Sequence, residues 1–187
     1  MSIRPRAMLD LTGALDFRTD RFQLRPLSVE DSPVLFRHLS DPAVTEFMDI
    51  DPLQGEDEAL AIIGWAMGIR ERNAGLRWGI RDRDGEFLGT AGFNTIELER
   101  GRRGEVAYDI RKASWGQGVM GEVLPALAVF GFQGLGLRRL EAMVTVGNEP
   151  SCRLLERHGF EREGVLRDHG FWKGGFWDQV VYGRLAT

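Results

Sequence analysis

Hydrophobic and polar positions along the chain change period several times, and each change predicts an element. Arg21-Phe22-Gln23-Leu24-Arg25-Pro26-Leu27 alternates with period two and predicts a strand ended near Pro26. Ser28 to Leu39 follows as a helix. Ser28 with Asp31 three residues on resembles a capping box, Pro33 makes Asp31 the alternative cap, and Asp41-Pro42 ends the run. In Glu56 to Arg72, Ala59, Ile62, Ile63, Ala66 and Ile69 recur at helical spacing. Acids lead this helix, arginines trail, and Asn73 and Gly75 stop it. Arg77 to Arg81 and Phe87 to Thr95 predict two strands joined through Asp82-Arg83-Asp84-Gly85, a hairpin signal. A further strand is predicted at Glu105 to Ile110. Gly118 to Phe132 reads as a helix with Val123, Leu127 and Phe130 on one face, closed by Gly134 and Gly136. Arg139 to Val146 predicts a strand, Pro150 to His158 a short helix ended by Gly159, and Phe160 to Leu166 and Asp178 to Leu185 the last strands.

The resulting order, β-α-α-β-β-β-α-β-α-β-β, puts hairpins in the first half and crossover helices in the second. That order predicts an α/β (mixed α+β) fold, one mixed sheet with helices packed against it. Residues 1–18 lack a pattern and read as an N-terminal arm, with one domain over 19–187. A length of 187 residues suits one core, and 43% hydrophobic with 28% charged residues excludes whole-chain disorder or a coiled coil. No apolar run reaches the roughly 18 residues of a membrane helix, and Met1 to Thr19 has arginines but no apolar segment of a signal peptide. The single cysteine, Cys152, excludes a disulfide scaffold, so a cytoplasmic location is expected. A net charge of −4 gives nucleic-acid binding no support. His38, His158 and His169 lack metal-ligand spacing, and no metal is expected.

Chemistry enters at Trp115-Gly116-Gln117-Gly118-Val119-Met120-Gly121-Glu122, between a strand and a helix. Glycines let the backbone turn tightly, and N–H groups at the helix start attract an anion such as a pyrophosphate. A glycine turn without a ligand is the plainer alternative. Gly116-x-Gly118-x-x-Gly121 also spells a dinucleotide fingerprint, with Glu141 twenty residues on. Two checks count against that fingerprint. Arg111-Lys112-Ala113-Ser114 separates the strand from the first glycine, and Glu141 begins a strand where it should end one.

A second stretch, Asn148-Glu149-Pro150-Ser151 continuing to Gly159-Phe160, completes a pattern with Ala107-Tyr108-Asp109-Ile110 and Trp115-Gly116-Gln117-Gly118. Together, over about residues 20–185, these resemble the GNAT superfamily of acyl-CoA N-acyltransferases, and within it the RimJ/RimL-like branch of ribosomal-protein N-terminal acetyltransferases. The resemblance implies a mostly antiparallel sheet with a splayed pair of parallel strands and helices on both faces. It implies acetyl-CoA as cosubstrate. Ile110, Trp115, Gly116, Gln117, Gly118, Val119, Met120 and Gly121 would line its site, with loop N–H groups on the pyrophosphate. Pantetheine would enter beside an irregular bulge at Tyr108 to Arg111, Asn148 would bond its amide region, and Ser151 would sit near the sulfur. The chain departs from the family pattern at Met120, where Gly or Ala is usual, and at Leu155, where many members carry a tyrosine. Pro125 also interrupts the helix from Gly118.

The implied reaction is direct attack of an amine on the thioester. Ser151 is the expected donor to the departing sulfur, since no other hydroxyl lies nearby in the motif. Its alternative role is to satisfy an N–H at a helix start. Glu105, and beside it Asp109, are candidate bases, against the alternative of a solvated strand face. Asn148 could equally be a turn residue. Cys152 reads better as a small apolar side chain than as a nucleophile. Phe47, Met48, Trp78 and Tyr108 are expected to line the acceptor site, with Arg167 to Trp172 adding aromatic walls. The preferred acceptor is a protein or peptide α-amine. A small amine comes second and a silent acyl-CoA-binding module third, with a homodimer left open.

Overall fold

The computed structural model describes residues 10–186 apart from 12 and 14. Its frame is an eight-stranded sheet in the order β1-β2-β3-β4-β5-β6-β8-β7. The strands are β1 (Phe17–Arg18), β2 (Gln23–Pro26), β3 (Leu76–Arg81), β4 (Phe87–Glu97), β5 (Arg103–Ile110), β6 (Arg139–Thr145), β7 (Glu161–Trp172) and β8 (Gly175–Leu185). The helices are α1 (Ser32–Leu39), α2 (Pro42–Thr45), α3 (Glu56–Glu71), α4 (Val119–Val129) and α5 (Glu149–Arg157). Every neighbouring pair is antiparallel except β5 with β6. The expected mixed α/β domain with one parallel pair is therefore what the chain forms. Among the described residues no helix is long and apolar enough to cross a membrane.

Strand alternation distributes the core over both faces of the sheet. Leu76, Trp78 and Ile80 of β3 join Phe93, Val106, Val123, Leu124 and Leu127 in a cluster under α4. On the opposite side Leu35, Leu39, Ala59 and Ile63 of α1 and α3 form a second cluster. The intervening β3 residues Arg77 and Arg81 are buried too, each facing a carboxylate, Asp109 and Asp31 respectively. Two residues of the expected N-terminal arm pack against the domain. Leu11 is buried, and the Phe17 ring meets the Trp78 edge at 5.2 Å. Residues 1–9 lie outside the described residues.

The parallel pair splays early. β6 pairs with β5 only at Arg103–Arg139, Gly104–Leu140 and Glu105–Glu141, and β5 then continues to Ile110 paired with β4 alone. The irregularity expected on β5 at Tyr108 to Arg111 lies on β4 instead. Phe93 opposes Val106 and Thr95 opposes Glu105, so Asn94 is the extra residue, beside the point where β6 departs. α4 stays α-helical across Pro125, and its irregularity comes later, as a π turn at Phe130–Gly134.

The last hairpin is longer than the hydrophobic pattern predicts. Residues 167–177, expected between strands, extend them to a two-residue turn at Lys173 and Gly174, whose φ values of 50° and 73° suit a type I′ turn. A register shift between Leu166 and Gly170, with Asp168 at φ 49°, breaks the alternation and hides the strand from a period-two reading.

Candidate active site

β5 leads through a short 3₁₀ turn at Lys112–Ser114 into the glycine loop, and Gly118 opens α4. Gly116 and Gly118 sit at φ 72° and 74°, in the left-handed region where a side chain is strained. A Cβ placed on Gly116 or Gly121 would meet nothing within 4 Å, so the loop keeps open space on its surface. Arg21, at the entry to β2, braces it from behind. Its guanidinium donates to the carbonyls of Gln117 and Gly118, each at 3.1 Å. A trans peptide points its N–H opposite its C=O. Holding those two carbonyls therefore turns the N–H groups of Gly118 and Val119 to the other side, as an anion site needs. Glu122 holds Arg21 in turn, at 2.6 Å, and accepts from the Thr19 hydroxyl at 2.5 Å. Met120 is buried in the core cluster, so its longer side chain leaves the loop surface clear.

The gap beyond Glu105 continues from this loop. Arg111 N–H bonds the Leu88 carbonyl, which makes Ile110–Gly89 and Tyr108–Ala91 the non-hydrogen-bonded pairs of the ladder. The backbone groups of Tyr108 and Ile110 therefore face the side that β6 has left. The Ile110 carbonyl receives the Trp115 indole N–H at 2.6 Å, which fixes Trp115 at the rim. Across the gap Asn148 caps α5, its side-chain oxygen accepting from the Ser151 N–H at 3.3 Å. Asn148 thus takes the capping role, and the Ser151 hydroxyl is left for other work. It lies 2.7 Å from the Tyr108 hydroxyl. One continuous cavity of about 1630 Å³ joins Gly116, Gly118, Ile110, Tyr108, Asn148 and Ser151 to Glu105 and Phe47.

An anion cradle, an unpaired strand edge and a hydroxyl pair in one groove suit a long phosphorylated thioester. The acetyltransferase (GNAT) domain family matches residues 21–161. The chain belongs to this GNAT family. An uncharacterized N-acetyltransferase of Bacillus subtilis, YoaA, is 35% identical over 88% of this chain and 93% of its own. The ribosomal-protein-serine acetyltransferase of Escherichia coli is 30% identical over 71% and 73%. The structure of RimL, a ribosomal L7/L12 alpha-N-protein acetyltransferase in complex with coenzyme A, superposes with a TM-score of 0.79. It shares 22% identity and covers 89% of this chain and 95% of its own. The protein is accordingly an acyltransferase that uses acetyl-CoA, and its groove has the open loop surface and unpaired strand edge that such a ligand requires.

Two further segments of this GNAT domain wall the cavity. Phe47 and Met48, after α2, line the cavity, and the Phe47 carbonyl accepts from the Thr145 hydroxyl at 2.9 Å. Lys173, in the turn of the long hairpin, donates to the Thr45 carbonyl at 2.5 Å and the Glu46 carbonyl at 3.2 Å. That tether brings His169, Phe171 and Trp172 to the cavity wall. Trp78 does not line it. A central strand buried on both faces turns this indole into the core under α4, and its N–H donates to the Leu15 carbonyl at 2.8 Å. Tyr108, expected beside the acceptor, reaches the Ser151 side, so a second hydroxyl does stand near the motif serine.

The two candidate carboxylates differ sharply. Asp109 is buried and spoken for. One oxygen is 2.6 Å from His38 Nε2 and takes the Thr90 N–H at 3.0 Å; the other takes Thr90 Oγ1 at 2.5 Å and Arg77 at 3.2 Å. Burial works to raise its pKa, but the His38 and Thr90 hydrogen bonds and the nearby positive charges hold it below the usual carboxylate value. It can act as an anchor for Arg77, not as an exposed base. Glu105 lies on the cavity wall, and burial and the neighbouring Glu141 raise its pKa. Burial likewise pushes the Tyr108 phenol up to about 12. Cys152 is partly buried and packs against the core cluster. Among the described residues no group of three or more His, Cys, Asp or Glu side chains is placed to hold a metal ion. Sequence reasoning missed Arg21, His38, Arg77 and Lys173. Each acts on a partner at least 32 positions away, and no local pattern announces it.

Proposed function

We propose that this enzyme acetylates the α-amine of a protein or peptide N-terminus, as in the RimJ/RimL-like branch. The observation that carries this reading is the reach of the cavity. It runs from the glycine loop past Ser151 and Glu105 to Trp65 and Phe171, which are 45% and 64% exposed, so an acceptor chain can trail out to solvent. The name of the 30% identical ribosomal-protein-serine acetyltransferase supports the same acceptor class.

In this reading the N–H groups of Gly118 to Gly121 hold the pyrophosphate, with Trp115, Gly116 and Gln117 forming the loop. Tyr108 and Ile110 offer backbone groups to pantetheine, and Asn148 directs its amide N–H groups at the same arm. Acetyl-CoA supplies the activated thioester. Glu105 accepts the proton of the attacking amine; its raised pKa makes it a better base than a solvated glutamate. The Ser151 O–H supports the departing sulfur. An α-amine, with a pKa of about 7.8, is roughly a quarter neutral near pH 7.4, whereas a lysine at about 10.4 is about 0.1% neutral. A modest base such as Glu105 therefore suits an N-terminal acceptor. The test is acetyl-CoA turnover against N-terminal peptides, polyamines, amino acids and aminoglycosides, read by mass spectrometry. Acetyl groups on peptide α-amines are expected; turnover confined to the small amines would overturn this acceptor.

A further inference from the structure

We propose that Tyr108 is a positioning residue for the leaving group: its phenol donates to the Ser151 oxygen and so leaves the serine O–H to face the sulfur of acetyl-CoA. The inference rests on the reading of Ser151 given above. The two oxygens are 2.7 Å apart across the gap, one carried by β5 and the other by α5. A phenol is much the stronger acid of the two and the better donor, and with an ordinary pKa of about 10 it is protonated at neutral pH. Ser151 then accepts on one lone pair, and its own proton must turn elsewhere.

In the middle of a helix a serine commonly returns its proton to the carbonyl four residues back. That escape is poor here. Ser151 is in the first turn of α5, and the residue four back, Gly147, lies before the cap at φ 101°, its carbonyl already taken by the Glu149 N–H at 2.9 Å. The Ser151 backbone is also held, by Asn148. Both ends of the residue are thus fixed, and the remaining direction for the O–H is the cavity that Ser151 lines. One turn further along α5 stands Leu155, fully buried and without a proton to give. The second hydroxyl therefore comes from β5, a different element. No proton leaves the phenol in this scheme. It acts through Ser151, whose hydrogen bond to sulfur strengthens as the C–S bond breaks.

The test compares wild type, Tyr108→Phe, Ser151→Ala, the double variant, and Ser151→Thr with and without Tyr108→Phe. Each is assayed by thiol release from acetyl-CoA with a peptide bearing a free N-terminal serine, or with whichever amine the acceptor screen returns. Tyr108→Phe keeps the ring, so its melting point and its KM for acetyl-CoA are expected to stay near wild type. Its kcat should fall about five- to tenfold, and Ser151→Ala somewhat more, about tenfold to a hundredfold. In the Ser151→Ala background the phenylalanine should cost nothing further, because the two act as one unit. Ser151→Thr should retain most turnover and lose it when Tyr108 is replaced. Wild-type kcat in Tyr108→Phe, or an equal loss in the Ser151→Ala background, overturns the positioning role alone. Unchanged turnover in Ser151→Ala overturns the reading of Ser151 itself. If Tyr108→Phe is then still impaired, the phenol faces the sulfur directly and the proposal is wrong in its direction.

Discussion

At Gly118 the backbone lies at φ 74°, a conformation that an L side chain with a branched Cβ resists. Gly118→Val should therefore distort the loop and weaken CoA binding at least about tenfold by calorimetry, an effect of about 1.4 kcal/mol or more. Gln117→Ala keeps every backbone N–H, and its side chain only returns to the Ala113 carbonyl at 2.8 Å, so its Kd should stay within about threefold. Arg21 is one of the residues whose role surfaced only in three dimensions. Arg21→Ala removes the two bonds that orient the Gln117 and Gly118 carbonyls. A loss of about 1 kcal/mol, or about fivefold in CoA affinity, is expected, with little change in KM for the acceptor. Affinity equal to wild type would show that the loop holds its shape without the brace.

At the scale of elements, the Asp109 network is the tie between α1 and three strands. His38 comes from α1, Arg77 from β3, Thr90 from β4 and Asp109 from β5. Removing the carboxylate would leave a buried guanidinium without its counter-charge, a change of about 3–5 kcal/mol. Asp109→Asn should accordingly lower the melting temperature steeply, and Thr90→Val should lower it less. The pH dependence follows from the sign of the shift. The folded pKa of Asp109 lies below its ordinary value. Its contribution is complete above the unfolded pKa of about 3.9 and is lost as pH falls through the folded value. Denaturant titrations from neutral to acid pH should show that limb in the wild type and a flatter one in any Asp109→Asn protein that folds. The elements themselves were legible in the chain where periodicity was clean, as in α3 and the β3–β4 hairpin. The ends of β7 and β8 were not, because a shifted register and a Lys-Gly turn left no regular alternation to follow.

For the whole molecule, the distinguishing feature is one groove with two chemically different ends. Glu105 sits between them, and its pKa reflects long-range placement: burial first, then Glu141 on β6, with Asn94 and Arg77 opposing and Asp49 adding. A base works when deprotonated. With acetyl-CoA and acceptor saturating, kcat should rise with pH through a value above the ordinary 4.5 of a glutamate. Glu105→Gln should lower kcat and remove that limb. A Glu105→Gln profile that keeps both the limb and the rate would assign the proton to water.

By itself the sequence determined the order of the longer elements, though not the two-residue β1 or the one-turn α2, together with the glycine loop before α4 and the Asn148 start of α5. These depend on backbone angles, caps and periodicity, forces that act within a few residues of one another. It also carried the pattern that marks a GNAT acetyltransferase. The tertiary structure alone decided which side chains meet. It put Trp78 in the core, locked Asp109 against His38, Arg77 and Thr90, set Arg21 behind the loop and brought Tyr108 to Ser151. Those pairings follow from strand register and from the splay of β5 from β6. A one-residue slip would reverse the face of every side chain on a strand while leaving its local pattern unchanged.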